Sequence, residues 1–319
     1  MQAVRRRRLL AGLSLSAVLA MGASACGGEG GGAAEDGKVR VVTSTNVWAS
    51  VVAAVGGDHV EVIPIISDAA ADPHSYQAAA ADAAEVRSAE LLVYNGGGYD
   101  DFFAQLAEGA DVPAVVAVEQ AGAHDGHEDH GDHSHEHGHH SHGHEHGNEH
   151  VWYDLEVTNA VAERVAAELG ELLPRQSDVF DRNAADFAER IDGLRHDVER
   201  VAEEHAGAKV VATEPIAHHL LAAAGLEDAT PHEFAAAVEN ETDVPPAAQQ
   251  QMLELVEDEV DVVVRNVQTT TPATENVVGA AEQAGTPVVD VTETLPERQT
   301  DYIAWMGGQI DALAKALDK

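Results

Sequence analysis

Residues 38–66, KVRVVTSTNVWASVVAAVGGDHVEVIPII, carry the pattern on which the fold class turns. Residues 38–45 form a short β-rich run that ends in polar turn residues, and Asn46 to Gly56 read as a helix. Gly57 and Asp58 supply a turn, after which HVEVIPII at 59–66 reads as a second strand. A strand, a helix and a strand at this spacing form a βαβ unit, which implies a parallel sheet.

Outward from this unit the alternation continues. A loop through SDAAADPHSYQ leads into an Ala-rich helix from about Gln77, and ELLVYN at 90–95 makes a strand that stops at Gly96-Gly97-Gly98. A helix near 100–108 and a strand at 113–118 complete a first lobe. Beyond residue 150, a helix over 154–172 breaks before Pro174. The next segment, 177–206, places Val179, Phe180, Phe187, Ile191, Leu194, Val198 and Val201 at three- and four-residue steps among acids and arginines. Such a helix reaches about 45 Å, the length of a lobe, and is expected to act as a rigid strut. The rhythm then resumes with strands at 208–213, 260–265 and 287–291. Helices fall over EPIAHHLLAAAGL and at 247–258, 273–284 and 298–317. The expectation is a bilobed α/β protein, each lobe a mostly parallel sheet flanked by helices. Its parts are an N-terminal lobe at 38–175, a linking helix at 176–207 and a C-terminal lobe at 208–319.

The N-terminus sets the compartment. Arg5 to Arg8 form a basic region and Leu9 to Met21 an apolar one too short to span a bilayer, so residues 1–25 read as an export signal. Small residues Ala23, Ser24 and Ala25 precede Cys26, the only cysteine, in a pattern that resembles a bacterial lipobox with Ala23 where Leu is usual. That resemblance implies lipid attachment at Cys26, with Gly-rich residues 26–37 as a tether on the extracytoplasmic face of the membrane. With one cysteine no disulfide framework is available, so the fold rests on hydrophobic cores. The net charge of −38 excludes nucleic acid as a partner and favours cations.

Between the first lobe and residue 150 lies HDGHEDHGDHSHEHGHHSHGHEHGNEH, residues 124–150. Lacking apolar side chains, the stretch has nothing to build a core from, and an unstructured loop over 121–149 is expected. Neutral imidazole, however, is the commonest ligand for borderline metals. His124, His127, His130, His133, His135, His137, His139, His140, His142, His144 and His146 thus offer many weak, interchangeable positions for auxiliary metal capture. A purification tag would instead be a plain histidine run at a terminus.

A tight site needs ligands delivered from ordered elements. Four candidates stand where strands end and loops begin, the usual place for ligands in open α/β sheets. They are His74 in DPHSYQ, His150 in NEHVWYD, Glu214 after KVVAT, and an acid near the last strand, Glu293 or Asp290. Each also has a plainer reading: a surface loop histidine, the last member of the His-rich run, a helix N-terminal charge and a loop acid.

At this point the chain resembles the metal-specific substrate-binding proteins of bacterial ABC transporters, which import zinc or manganese. The resemblance rests on ADPHSYQAAAADAAEVRSAELLVYNGGGYD, NEHVWYDLEVTNAVAERVAAEL, VVATEPIAHHLLAAAGL, TTTPATENVVGAAEQAGTPVVDVTETLPE and YIAWM. It implies His74 and His150 as the first two ligands, Glu214 as the third and Glu293 as the fourth. The family's zinc members typically have His at the third position and the family usually has Asp at the fourth. His218, or its neighbour His219, one turn beyond Glu214 and expected to be buried on the helix, is an alternative third ligand. The resemblance further implies a permease with its ATPase as partner, and a chain working as a monomer.

A His₂Glu₂ set serves tetrahedral zinc, while carboxylate-rich sites also suit manganese. The imidazole-rich stretch favours Zn2+ by ligand softness, with Mn2+ the alternative cargo. An exported zinc hydrolase would need an open coordination position and a general base, and no HExxH is present. The expected role is therefore binding and delivery rather than catalysis, with a zinc-buffering lipoprotein as the other non-enzymatic reading.

Overall fold

In the computed structural model, residues 37–68, 71–122 and 147–319 are described. The export signal, Cys26, the tether before residue 37 and the histidines from His124 to His146 lie outside them. The described chain begins with β1 (Val39–Thr45), α1 (Asn46–Gly56), β2 (Val60–Ile66), α2 (Ala80–Ser88), β3 (Leu91–Tyr94), α3 (Asp101–Ala107) and β4 (Ala114–Val116). Two helices follow, α4 (Leu155–Leu172) and α5 (Ser177–His205). The second half runs β5 (Lys209–Ala212), α6 (His218–Ala223), β6 (Glu227–Asp228), α7 (His232–Glu239), α8 (Pro246–Asp258), β7 (Val262–Asn266), α9 (Pro272–Ala284), β8 (Val288–Val291) and α10 (Tyr302–Leu317).

All strand pairings are parallel, in two sheets of order β2-β1-β3-β4 and β6-β5-β7-β8. Both faces of each sheet are covered, as parallel sheets require. Val39 and Val41 of β1 enter one core and Val42 another, on the opposite face. Val210 and Val211 of β5 divide in the same way. The largest core is common to both sheets. It joins β1 and β3 through α1, α4, α5 and α10 to β5, β7 and β8.

Helix α5 is part of that shared core. Phe180, Ala184, Phe187, Ile191, Leu194, Val198 and Val201 form its buried stripe, while Val179 is only half-buried. Asn183 Nδ2 donates to the Val55 carbonyl of α1 at 2.8 Å, and Arg190 pairs with Asp301 at the start of α10 at 2.7 Å. The expected strut is thus a packed helix, held on one side by the first sheet's helices and on the other by α10.

Three departures from the sequence reading bear on the site. Residues 121–149 are ordered at both ends: a 3-10 turn covers Val118–Gly122, and Asn148 and Glu149 are hydrogen-bonded. Pro215–Ala217 forms a 3-10 turn before α6, with Pro215 at its first position, where the missing N–H costs nothing. Strand β6 and helix α7 had no sequence counterpart. β6 has two acidic residues, a weak β signal, and Thr230-Pro231 hides the start of α7.

Candidate metal centre

The site lies where both sheets present the carboxyl ends of their strands. Asp72 follows β2, and its carboxylate accepts from the His74 backbone N–H at 2.9 Å and from Ser75 Oγ at 3.0 Å. This side-chain turn, begun by Asp72-Pro73, presents an exposed His74. The His74 ring meets Tyr99 edge-on at 4.9 Å and His150 at 5.8 Å between centroids.

Beyond β3 the chain must turn sharply. Gly96 takes φ +77°, and a Cβ there would stand 2.6 Å from Val116 Cγ1, so only glycine fits. Buried Asp100 closes the turn by accepting from the N–H groups of Asn95 and Gly96, both at 2.7 Å. Asn95 Nδ2 reaches across to the Glu149 carbonyl at 2.8 Å, tying this turn to the segment that carries His150.

His150 is 1% exposed. Its Nδ1 lies 2.9 Å from Asn148 Oδ1, an acceptor, so Nδ1 carries the proton and Nε2 keeps its lone pair. The same Asn148 donates to the Pro215 carbonyl at 2.8 Å, and its own carbonyl lies 2.8 Å from His219 Nε2. Burial, with His74 and the 218–219 pair nearby, pushes the His150 pKa well below its ordinary value and keeps the ring neutral. Trp152 packs against both His150 and Tyr99.

The second sheet contributes the acids. Glu214 follows β5, Asn266 ends β7 and Glu293 follows β8; all three are buried. Asn266 Nδ2 is shared among Glu214 Oε2, Glu293 Oε1 at 2.8 Å and Thr269 Oγ1 at 3.2 Å. An amide has two N–H groups, so three acceptors divide two hydrogens. Buried Glu293 faces the buried Tyr99 hydroxyl, which serves its carboxyl as a hydrogen-bond partner; among the described residues Glu293 Oε2 makes no other hydrogen bond. Burial, then the Glu214 charge, pushes the Glu293 carboxyl up to about 8; burial pushes Glu214 up to about 7.

His74, His150 and Glu293 offer ligand atoms that all lie within 4.8 Å of one another. Glu214 lines the same small cavity, about 20 Å3, with Asp72 and Glu239, but its carboxylate is held by Asn266 outside that close set. Two alternatives fall away from it. Asp290 is exposed and takes two N–H groups from Arg265, its register partner on β7, at 2.7 Å each. His218, expected to be buried, is exposed at the start of α6, and half-buried His219 is occupied with Asn148. Both belong to a helix whose inward face is taken by Leu220 and Leu221.

Sequence reading did not single out Asn266, Tyr99 or Glu239. Asn266 carried no ligand signal because an amide at the end of VVVRN looks like any strand end.

Two parallel four-stranded sheets that share one core through a long helix, with imidazoles from one half facing carboxylates from the other, define a bilobed binding-protein architecture. Its fold matches the periplasmic zinc binding protein TroA of Treponema pallidum at a TM-score of 0.70, with 18% identity over 88% of this chain and 99% of that one. It also matches the manganese complex of FpvC of Pseudomonas aeruginosa at 0.68, with 20% identity over 88% and 98%. The family model described as zinc-uptake complex component A, periplasmic, matches residues 41–316, and the chain belongs to that family. Among relatives, the metal ABC transporter substrate-binding lipoprotein FimA of Streptococcus parasanguinis is 26% identical over 59% of each chain. The zinc-binding lipoprotein AdcA of Streptococcus pneumoniae is 25% identical over 50% of this chain and 32% of its own. The matched stretch thus spans about three fifths of FimA and a third of AdcA.

Proposed function

We propose that this chain is an extracytoplasmic solute-binding protein that captures Zn2+ in the cleft between its sheets and delivers it to the permease of an ABC importer. The observation that carries the reading is the convergence of two imidazoles and a buried carboxylate, with ligand atoms within 4.8 Å, from opposite halves of the molecule. Buried Glu293, with only Tyr99 and Asn266 beside its carboxyl among the described residues, is the kind of group a cation would take up. Glu214, one hydrogen bond back on Asn266, completes a set of four with His74, His150 and Glu293. Four protein ligands leave no open position, so the ion is cargo rather than catalyst.

The electrostatics suit exchange of protons for metal. At neutral pH the metal-free site holds a neutral imidazole at His150 and a largely protonated Glu293. Entry of the ion displaces carboxyl protons, and acidification favours release. Relatives named as lipoproteins of ABC transporters support export, anchoring through Cys26 and a permease partner. In this reading residues 38–175 and 208–319 act as the two lobes and 176–207 as the link between them.

Manganese is the second reading. It is favoured by the two carboxylates and by the relative named as the manganese ABC transporter substrate-binding lipoprotein PsaA of Streptococcus pneumoniae. Titration calorimetry with zinc and with manganese separates them, using the full chain, a chain lacking residues 124–146 and the His74→Ala variant. One tight zinc site is expected to survive the deletion and to be lost in His74→Ala. Loss of tight zinc binding with the deletion, or tighter manganese binding at the surviving site, would overturn the zinc reading.

A further inference from the structure

Beside the cargo set, and sharing His150 with it, lies a second ligand set whose two carboxylates the cargo site does not use. Glu149, His150 and Glu239 also offer ligand atoms within 4.8 Å of one another. Glu149 stands three residues beyond His146 in the sequence, and Glu239 is the last residue of α7 in the other half. Both carboxylates are half-buried, and neither accepts a hydrogen bond nor forms an ion pair among the described residues.

The position is built rather than accidental. The Glu149 carbonyl is fixed by Asn95, and the residue before it, Asn148, is bonded to Pro215 and His219 of the other half. The third member, His150, is 1% exposed, and its Nε2 has no hydrogen-bond partner among the described residues. Because Asn148 Oδ1 occupies Nδ1, the lone pair of Nε2 is the only one the ring can give to a metal. One lone pair cannot hold two ions, so the outer and inner positions are filled in succession.

We propose that Glu149, His150 and Glu239 form an outer divalent-cation position on the path into the cleft, from which zinc passes to His74 and Glu293 by pivoting about His150. The inference rests on the inner cluster being the cargo site. Three ligands leave a coordination position open, which suits an ion in transit, whereas the inner set of four closes around it. Oxygen-rich and single-imidazole, the outer set binds more weakly than the inner one and is not expected to retain the ion.

The test is kinetic and uses the full chain with zinc chloride. Trp152, with its ring centroid 5.2 Å from His150, reports arrival of the ion by fluorescence in a stopped-flow instrument. Release is followed with excess chelator. Glu149→Gln combined with Glu239→Gln is expected to slow arrival about tenfold, and release by the same factor. Equilibrium affinity is expected to stay unchanged, because a position on the path speeds both directions alike. The slowing should persist at about 0.5 M salt, where long-range attraction between exposed charges is screened. Unchanged rates would overturn the proposal. So would slower arrival with weaker affinity and unchanged release, which would mark the acids as a source of attraction only. His74→Ala keeps the two readings apart. Loss of tight binding there with unchanged rates in the double variant overturns the outer position alone; intact tight binding overturns the cargo site and the outer position with it.

Discussion

Glu214 and Glu293 share the Asn266 amide as a donor, and burial holds both carboxyls protonated far above the ordinary carboxylate value of 4.5. The folded chain therefore keeps protons that the unfolded chain gives up from about pH 4.5. That contribution to stability is present at low pH and is lost as pH rises through about 7 and about 8. His150 acts in the opposite sense: its pKa is depressed below 6.5, so its contribution is lost as pH falls below that value. Asp100, raised to about 6, has nearly finished titrating by pH 7. Between pH 6.5 and 8.5 the two cleft carboxyls dominate these shifted groups. The metal-free chain is expected to melt at progressively lower temperature across that window, while the rise in melting temperature caused by zinc grows. Thermal unfolding in chelator and in zinc at several pH values measures both. A flat metal-free profile would mean that these carboxyls ionise as freely as in water.

The same residues show what could be read without coordinates. His74 and His150 were legible because DPH and NEH place imidazoles beside turn-forming neighbours at the edges of ordered segments. The choice between Asp290 and Glu293 was not. Alternation along VVDV puts Asp290 opposite Val289 and Val291, but in a parallel sheet covered on both faces, parity alone does not say which face leads to the cleft. What separates the two in the fold is Arg265, brought beside Asp290 by strand register and unpredictable from spacing.

Among the elements, α7 was the costly omission, because its last turn brings Glu239 to the cavity that His74, His150 and Glu293 line. It ends in a Schellman-type stop: the Thr242 N–H returns to the Ala237 carbonyl and the Glu241 N–H to Val238, at 2.8 and 3.0 Å. The residue in the left-handed conformation there is Glu241, at φ +51°, where glycine is the usual choice. A non-glycine residue in that region costs about 1–2 kcal/mol. Glu241→Gly is therefore expected to stabilise the fold by about 1 kcal/mol, measured by urea denaturation. An unchanged midpoint would show that the exposed Glu241 side chain gains as much at this position as its backbone loses. The long helix α5, by contrast, was legible to within a residue of each end, since an apolar stripe at helical spacing over that length has no competing reading.

Across the whole molecule, the sequence read as two lobes joined by a strut; each sheet has a core of its own on one face, and on the other the two share a core that includes α5. The strands of each half were visible as apolar runs, but nothing in a run of valines says which helix will cover it. The halves are also stitched by polar contacts. Asn46 of α1 exchanges two hydrogen bonds with Leu295, each 2.9 Å; the Tyr302 hydroxyl of α10 donates to the Trp152 carbonyl at 2.7 Å; and Tyr153 donates to the Thr292 carbonyl at 2.9 Å. Most of these bonds are buried or half-buried, where breaking one without replacement costs about 1–3 kcal/mol. Separating the halves would break several at once and expose the faces of α5 and α10 that now meet. The halves are therefore expected to unfold together, in a single calorimetric transition whose van't Hoff and calorimetric enthalpies agree. Zinc should raise that transition as a unit, by mass action on the one folded state. Two resolved transitions, with zinc moving only one of them, would show instead that each sheet carries a core stable on its own, and that both imidazoles and both acids need not be held in register before the metal arrives.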